Sequence, residues 1–276
     1  MSSRSRDAFG LPTQMETVPA GDPLLVPTIS KPNREEFRAA EIQKVVGDGT
    51  SVPEEDTPIF WLMGGGSGSG KSTVLQTLRD DGLIPTSDIV HIDPDTFKRV
   101  IPEFEELITR KDSRAAMVVH EESAFMAREA FAQAVSKRAD IIYDTTLSNF
   151  PRAWDLIAQA REKGYEVRII GVTAAPRTAV ERVVKRGDRS GRYVPIRDLL
   201  STHKQFAAVF EDYIELVDSI SLWKTDCGDG TLKKIASKTG DRFDILSPDE
   251  YAAFRKSANL NEDATTPDEI DRGEET

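Results

Sequence analysis

The segment that most constrains this chain is an apolar run, Ile59–Met63, that leads straight into Gly64-Gly65-Gly66-Ser67-Gly68-Ser69-Gly70-Lys71-Ser72-Thr73. Within it, Gly65–Ser72 satisfies G-x-x-x-x-G-K-S, the spacing of a loop that wraps a polyphosphate. Glycines let backbone N–H groups approach the phosphates, and the helix that follows adds the positive end of its dipole. Lys71 is placed to set its ammonium against the β- and γ-phosphates and Ser72 to offer a hydroxyl to Mg²⁺, with Gly65, Gly66, Ser67, Gly68, Ser69, Gly70 and Thr73 completing the cradle. A flexible Gly/Ser linker would read the same as far as Gly70, but it has no use for Lys-Ser in register with a helix start. Such loops serve many reaction types, so this one specifies a nucleoside triphosphate and not yet a reaction.

On both sides of the loop, short apolar runs alternate with helical periodicity. After Ile59–Met63 come strand-like Ile89–Ile92, Ile141–Tyr143, Val167–Val172 and Ile220–Trp223. Between them fall helical stretches at Lys71–Arg79, Asp112–Lys137, Pro151–Lys163, from Pro176 to Gly187, and Pro195–Val217. Strands separated by helices predict an α/β fold with a parallel sheet of about five strands covered on both faces. Residues 33–46 predict a leading helix with Asn33 as N-cap. Residues 228–246 are consistent with an edge hairpin, and a short helix is expected near Pro248–Lys256. Residues 1–32 are rich in Pro, Ser, Gly and Thr and read as a flexible arm. Residues 33–258 read as one α/β domain and 259–276 as an acidic, disordered tail, since the last sixteen residues hold seven carboxylates against one Arg.

Composition narrows the function classes. The formal net charge of the 276 residues is −11, which argues against a nucleic acid as main partner. No apolar run approaches 18 residues and the N-terminus has no apolar core behind its basic residues, so neither a membrane span nor a secretory signal is expected. The lone Cys227 precludes an intrachain disulfide framework and a cysteine-based zinc site, and fits a cytoplasmic protein.

Three further features surround the loop. The second strand ends in His91-Ile92-Asp93-Pro94-Asp95-Thr96-Phe97-Lys98. In a doubly wound sheet ligands gather at the carboxyl ends of strands, where a carboxylate near a γ-phosphate can take the proton of an attacking hydroxyl. Asp93 and Asp95 are the candidates, with helix capping as the competing role. The third strand ends in Asp144-Thr145-Thr146, where an acidic residue can hold Mg²⁺ through water or bind substrate hydroxyls. Arg182 to Pro195 carries five basic residues against one acidic, at a helix end entering a Gly/Ser loop where a lid is expected. Guanidinium groups there can neutralise a transferring phosphoryl group, although a basic surface loop would explain Arg186 and Arg189 as well.

In this order, the pieces resemble the zeta toxin family of P-loop kinases from bacterial toxin–antitoxin systems. The resemblance runs from about residue 35 to 225. It rests on the phosphate loop, D-x-D-x-F-[RK] at Asp93–Lys98, the helix with His120-Glu121-Glu122-Ser123, D-x-T at Asp144–Thr146, Arg182, and G-R-[WY]-V-P at Gly191–Pro195. It implies Asp95 as catalytic base, Lys71 and Ser72 as phosphate and Mg²⁺ ligands, and Arg182 and Arg192 as contacts of the transferred phosphate. Asp144, Thr146, His120, Glu121 and Glu129 fall on the acceptor side. The implied reaction is ATP-dependent phosphorylation, with the family's acceptor, the 3′-hydroxyl of UDP-N-acetylglucosamine, as first candidate, and an antitoxin protein as partner. Two departures touch that side: Asp144 is a methylene shorter than the Glu found in other members, and Ser148 stands where an Arg is common. Alternatives are a kinase of another metabolite, an antibiotic or a polynucleotide 5′-hydroxyl, or a nucleotide-switched interaction protein without phosphotransfer.

Overall fold

The computed structural model describes residues 5–13, 15–191, 193–228 and 230–272. At its centre stands β1 (Ile59–Gly64), whose residues alternate between two cores. Phe60 and Leu62 face one side, among Val90, Met126 and Phe131, whereas Trp61 and Met63 face the other, among Val74, Leu75 and Leu78. That period-2 division requires a strand covered on both faces, so nearly every residue of the run is apolar.

β1 pairs in parallel with β3 (Asp140–Asp144) on one side and β4 (Glu166–Thr173) on the other. β2 (Ile89–Ile92) pairs with β3, and β5 (Ser219–Lys224) with β4, again in parallel. The expected five parallel strands are therefore present. The hairpin of β6 (Lys233–Thr239) and β7 (Arg242–Ile245) extends them antiparallel, giving the order β2-β3-β1-β4-β5-β6-β7.

The helices are α1 (Glu35–Gly47), α2 (Lys71–Asp80), α3 (Pro94–Val100), α4 (Pro102–Thr109), α5 (Ala115–Ser136), α6 (Phe150–Glu162), α7 (Pro176–Ser190), α8 (Ile196–Val209) and α9 (Pro248–Lys256). Two expected boundaries differ. Asn33 takes φ 57° and Arg34 is the N-cap of α1, so Asn33 turns the chain before the helix without capping it. The long helix expected over 195–217 stops at Val209 and continues as a 3-10 turn, Glu211–Leu216, that places Tyr213 in the core.

The terminal segments differ more from expectation. Leu11 and Val18 are buried, the first against α7 and α8, the second against Ile101, Phe104 and Leu107. Leu260 and Ile270 join Leu11 on α7 and α8, while Asp268 and Asp271 meet Arg177, and Asp263 meets Arg197. Sparse apolar residues in polar surroundings anchor both segments, and the tail's carboxylates find arginine partners. Neither was visible as periodicity. Asp112 pins the first segment from below: its buried carboxylate accepts from the backbone N–H groups of Thr17 and Val18, each at 2.9 Å, and from Arg114. Glu122, fully buried, receives Arg34 and Arg38, each at 2.8 Å, and so ties α1 to α5.

Candidate active site

The loop between β1 and α2 has a shape only glycines tolerate at Gly65, Gly68 and Gly70. Gly65 has φ 142°, and a Cβ there would stand 2.2 Å from the carbonyl oxygen of Val172. Gly68 has φ 79°, and its Cβ would stand 2.5 Å from the carbonyl of Ala179 in α7. The loop is thus seated against the carboxyl end of β4 and the body of α7. On the opposite flank, Gly65 N–H donates to the Thr146 carbonyl at 3.2 Å, joining the loop to the end of β3.

Lys71, half-buried at the start of α2, donates to the Gly65 carbonyl at 2.7 Å. Burial pulls its pKa down, and the charges of Asp144, Asp95 and Asp93 work against that pull. This is the electrostatic signature of an ammonium at the mouth of an acidic cleft. Ser72 and Thr73 follow it on the exposed first turn of α2.

That cleft, of about 230 Å³, lies at the carboxyl ends of β1, β2 and β3 between α5 and α6. Its lining includes Lys71, Asp93, Asp95, Asp144 and Thr146 together with Lys98, His120, Tyr143 and Arg152. The two aspartates of the second strand separate into distinct roles. Asp93 caps α3, accepting from the backbone N–H of Asp95 at 2.9 Å, and burial raises its pKa. Asp95 sits in the first turn of that helix with Lys98 Nζ 3.1 Å from its Oδ1. Asp144 ends β3 and contacts His91 Nε2 at 2.8 Å. The Thr146 hydroxyl is hydrogen-bonded to Ser148 at 2.7 Å.

His120 lines the cleft, and burial followed by the charges of Lys98 and Arg152 lowers its pKa. Glu121 and Glu129, expected on the acceptor side, are exposed on α5 and outside the cleft lining. Their helical phase explains it: the face of α5 turned to the cleft carries His120, Ser123 and Ala124. Arg152 and Asn149, which sequence reasoning passed over, line the cleft from the start of α6, close after Ser148 in the chain.

The arginines of α7 also divide. Arg182 lies on the β5 flank of the loop, away from the cleft. It donates to the Gly68 carbonyl at 3.2 Å, the Thr225 hydroxyl at 2.8 Å and the Thr225 carbonyl at 3.0 Å. Arg186, one turn on, donates to the Ser67 hydroxyl at 3.2 Å, and its charge acts on Lys71. It is therefore a contact of the phosphate loop, where the basic surface loop was the competing reading of the sequence. Arg189 is exposed, and Arg192 lies outside the described residues.

These residues fit a triphosphate with a hard cation. The glycine cradle would be filled by any Cβ, the Ser69 hydroxyl is buried in the loop without a hydrogen-bond partner among the described residues, and Lys71 stands at its end. Ser72 with the Asp93 and Asp144 carboxylates supplies oxygen donors of the kind Mg²⁺ takes.

The zeta toxin family model matches residues 43–221. A curated relative, the calmodulin calcium-dependent NAD kinase of Arabidopsis thaliana, is 27% identical over 282 aligned residues covering 81% of this chain and 53% of the relative, so the chain spans about half that protein's length. Among solved structures, the AvrRxo1-ORF1:AvrRxo1-ORF2 complex superposes with a TM-score of 0.62 at 18% identity, covering 87% of this chain and 80% of that one. The same complex with ATP gives 0.60 at 17%, covering 88% and 79%. A structure from the PezAT toxin–antitoxin system of Streptococcus pneumoniae gives 0.53 at 17%, covering 79% and 82%. The structural likenesses establish a shared fold. Among the described residues, no helix is long and apolar enough to cross a membrane.

Proposed function

The chain belongs to the zeta toxin family of kinases, and from that premise we propose that it transfers the γ-phosphate of ATP to a sugar hydroxyl of a nucleotide acceptor, with NAD as first candidate. The observation that carries the reading is that Asp95, Asp144 and Lys71 all line one cleft beside the phosphate loop. The acceptor hydroxyl approaches Asp95, which takes its proton as the new O–P bond forms; the bond from the γ-phosphorus to the β-bridging oxygen breaks and ADP leaves. Lys98 holds the Asp95 carboxylate in place, and Lys71 faces the phosphates. Asp144, steadied by His91, orients the acceptor or a cation. Ser72 with the Asp93 and Asp144 carboxylates would hold Mg²⁺, which would supply positive charge against the phosphates. Arg186 at the loop and Arg192 beyond it are the candidates for stabilising the transferring group; Arg182 braces the loop.

The same cleft supports an anionic acceptor. Lys98 and Arg152 both act electrostatically on His120 there, and the Arg152 guanidinium is suited to a phosphate carried by the acceptor. At about 230 Å³ the cleft is smaller than pockets that enclose a whole ligand, so a dinucleotide would enter by one end. NAD ranks ahead of UDP-N-acetylglucosamine because the relative named for NAD aligns over 81% of this chain, whereas the acceptor side departs from the UDP-sugar pattern at Asp144 and Ser148. A partner protein accords with the AvrRxo1-ORF1:AvrRxo1-ORF2 complex and the PezAT toxin–antitoxin system among the fold neighbours.

The test is incubation with γ-labelled ATP, Mg²⁺ and either NAD or UDP-N-acetylglucosamine. Label on NAD, mapped to one ribose hydroxyl, is expected. Label on the UDP-sugar alone would move the acceptor back to the family pattern, and label on neither would reject nucleotide acceptors.

A further inference from the structure

Beneath the phosphate loop lies a histidine that phosphotransfer does not use. His203, on α8, is 5% exposed, and its Nε2 stands 3.0 Å from the carbonyl oxygen of Ser67. A carbonyl only accepts, so Nε2 carries the hydrogen. Burial opposes a second proton on the ring, and the neighbouring Lys71 opposes it further. The ring comes this close because residue 66 has no side chain: a Cβ on Gly66 would stand 2.3 Å from His203 Cδ2 and 2.5 Å from Nε2.

The contact belongs to a pattern. Three consecutive carbonyls of the loop are held from outside by side chains: Ser67 by His203, Gly68 by Arg182 at 3.2 Å, and Ser69 by the Thr225 hydroxyl at 2.6 Å. In a planar trans peptide the C=O and the following N–H point in opposite directions. Fixing these carbonyls outward therefore fixes the N–H groups of Gly68 and Gly70 inward, toward where the phosphates would lie, while the Ser69 N–H is held within the loop by the Gly66 carbonyl at 3.1 Å.

We propose that His203 is a positioning residue for nucleotide binding, a neutral imidazole wedge that seats on Gly66 and holds the first turn of the phosphate loop in its anion-binding shape. The inference concerns the loop and is independent of which acceptor the enzyme uses.

Hydrogen exchange of the full-length protein without nucleotide, followed by mass spectrometry on peptides spanning 64–72, reads the loop directly. His203→Ala should speed exchange there several-fold while the peptides of β1 and β4 stay protected, and His203→Gln, which keeps an N–H donor, should restore much of the protection. Binding of a fluorescent ATP analogue should weaken by about fivefold to tenfold in His203→Ala, the worth of one buried hydrogen bond, with the KM for acceptor unchanged. Gly66→Ala should weaken binding through collision with the ring, and Gly66→Ala/His203→Ala should bind no worse than Gly66→Ala alone. Unchanged loop exchange in a His203→Ala protein that merely melts earlier, or additive effects of the two substitutions, would overturn the proposal. Failure of the wild type to bind ATP would instead strike at the phosphotransfer reading, and the exchange result would still decide the role of His203.

Discussion

Replacing Asp112 by Asn changes one atom and should release the N-terminal segment. The buried carboxylate accepts hydrogen bonds at both oxygens. Oδ1 takes the backbone N–H of Arg114 at 3.0 Å and its Nε at 2.9 Å; Oδ2 takes Thr17 N and Val18 N, each at 2.9 Å, and Arg114 Nη2 at 2.7 Å. An asparagine presents one NH₂ to one of these sides. Turned either way, it sets N–H against N–H and loses at least two bonds: the pair at Oδ1 or the three at Oδ2. Hydrogen bonds to a charged group contribute about 1.5–3 kcal/mol each, so the loss should be at least about 3 kcal/mol. For a domain of this size that corresponds to a fall in Tm of roughly 6–12 °C. Thermal unfolding measures the first consequence. The second is local: limited proteolysis should cut between residues 12 and 30 in the variant and spare the wild type. The carboxyl is held far below the ordinary value of 3.8 by Arg114. Its stabilisation is therefore complete above pH 3.8 and is lost only as pH falls further. A variant that melts within 2 °C of wild type with an equally protected segment would refute the reasoning.

Other consequences follow from the same contacts. Gly68→Ala forces a side chain into a positive-φ position and onto the Ala179 carbonyl; nucleotide affinity should fall at least about tenfold, since the positive φ alone costs about 1–2 kcal/mol, as read by calorimetric titration with ATP. Buried His203 resists protonation, so below pH 6.5 the unfolded chain gains a proton the folded one refuses. Stability should accordingly be full above that value and decline between pH 7 and 5 by more in wild type than in His203→Gln, by denaturant titration at the two pH values.

How much of this was legible in the sequence depended on whether a residue's role is fixed locally. The glycines and Lys71 announce themselves because a loop that wraps phosphate must be built from consecutive residues. Asp95 and Asp144 could be proposed because strand ends in a parallel sheet are known places, and both line the cleft. Glu121 and Glu129 were misjudged because helical phase on α5, set by what it buries, decides which of its residues meet the cleft. Arg152 and His203 were missed because no spacing marks either helix residue as reaching the site, and Arg186 was noticed only within a basic stretch that a surface loop would explain as well. The terminal segments were read as free because single apolar anchors, such as Leu11 and Ile270, carry no periodicity.

The central claim is that Asp95 receives the acceptor's proton beside a loop that holds ATP. Asp95→Asn removes the base while keeping the side chain's size. The measurement is single-turnover transfer from γ-labelled ATP to the acceptor, paired with ATP affinity. Affinity within about twofold of wild type and transfer slowed at least about a hundredfold is the predicted result. Transfer at the wild-type rate by Asp95→Asn would contradict the account.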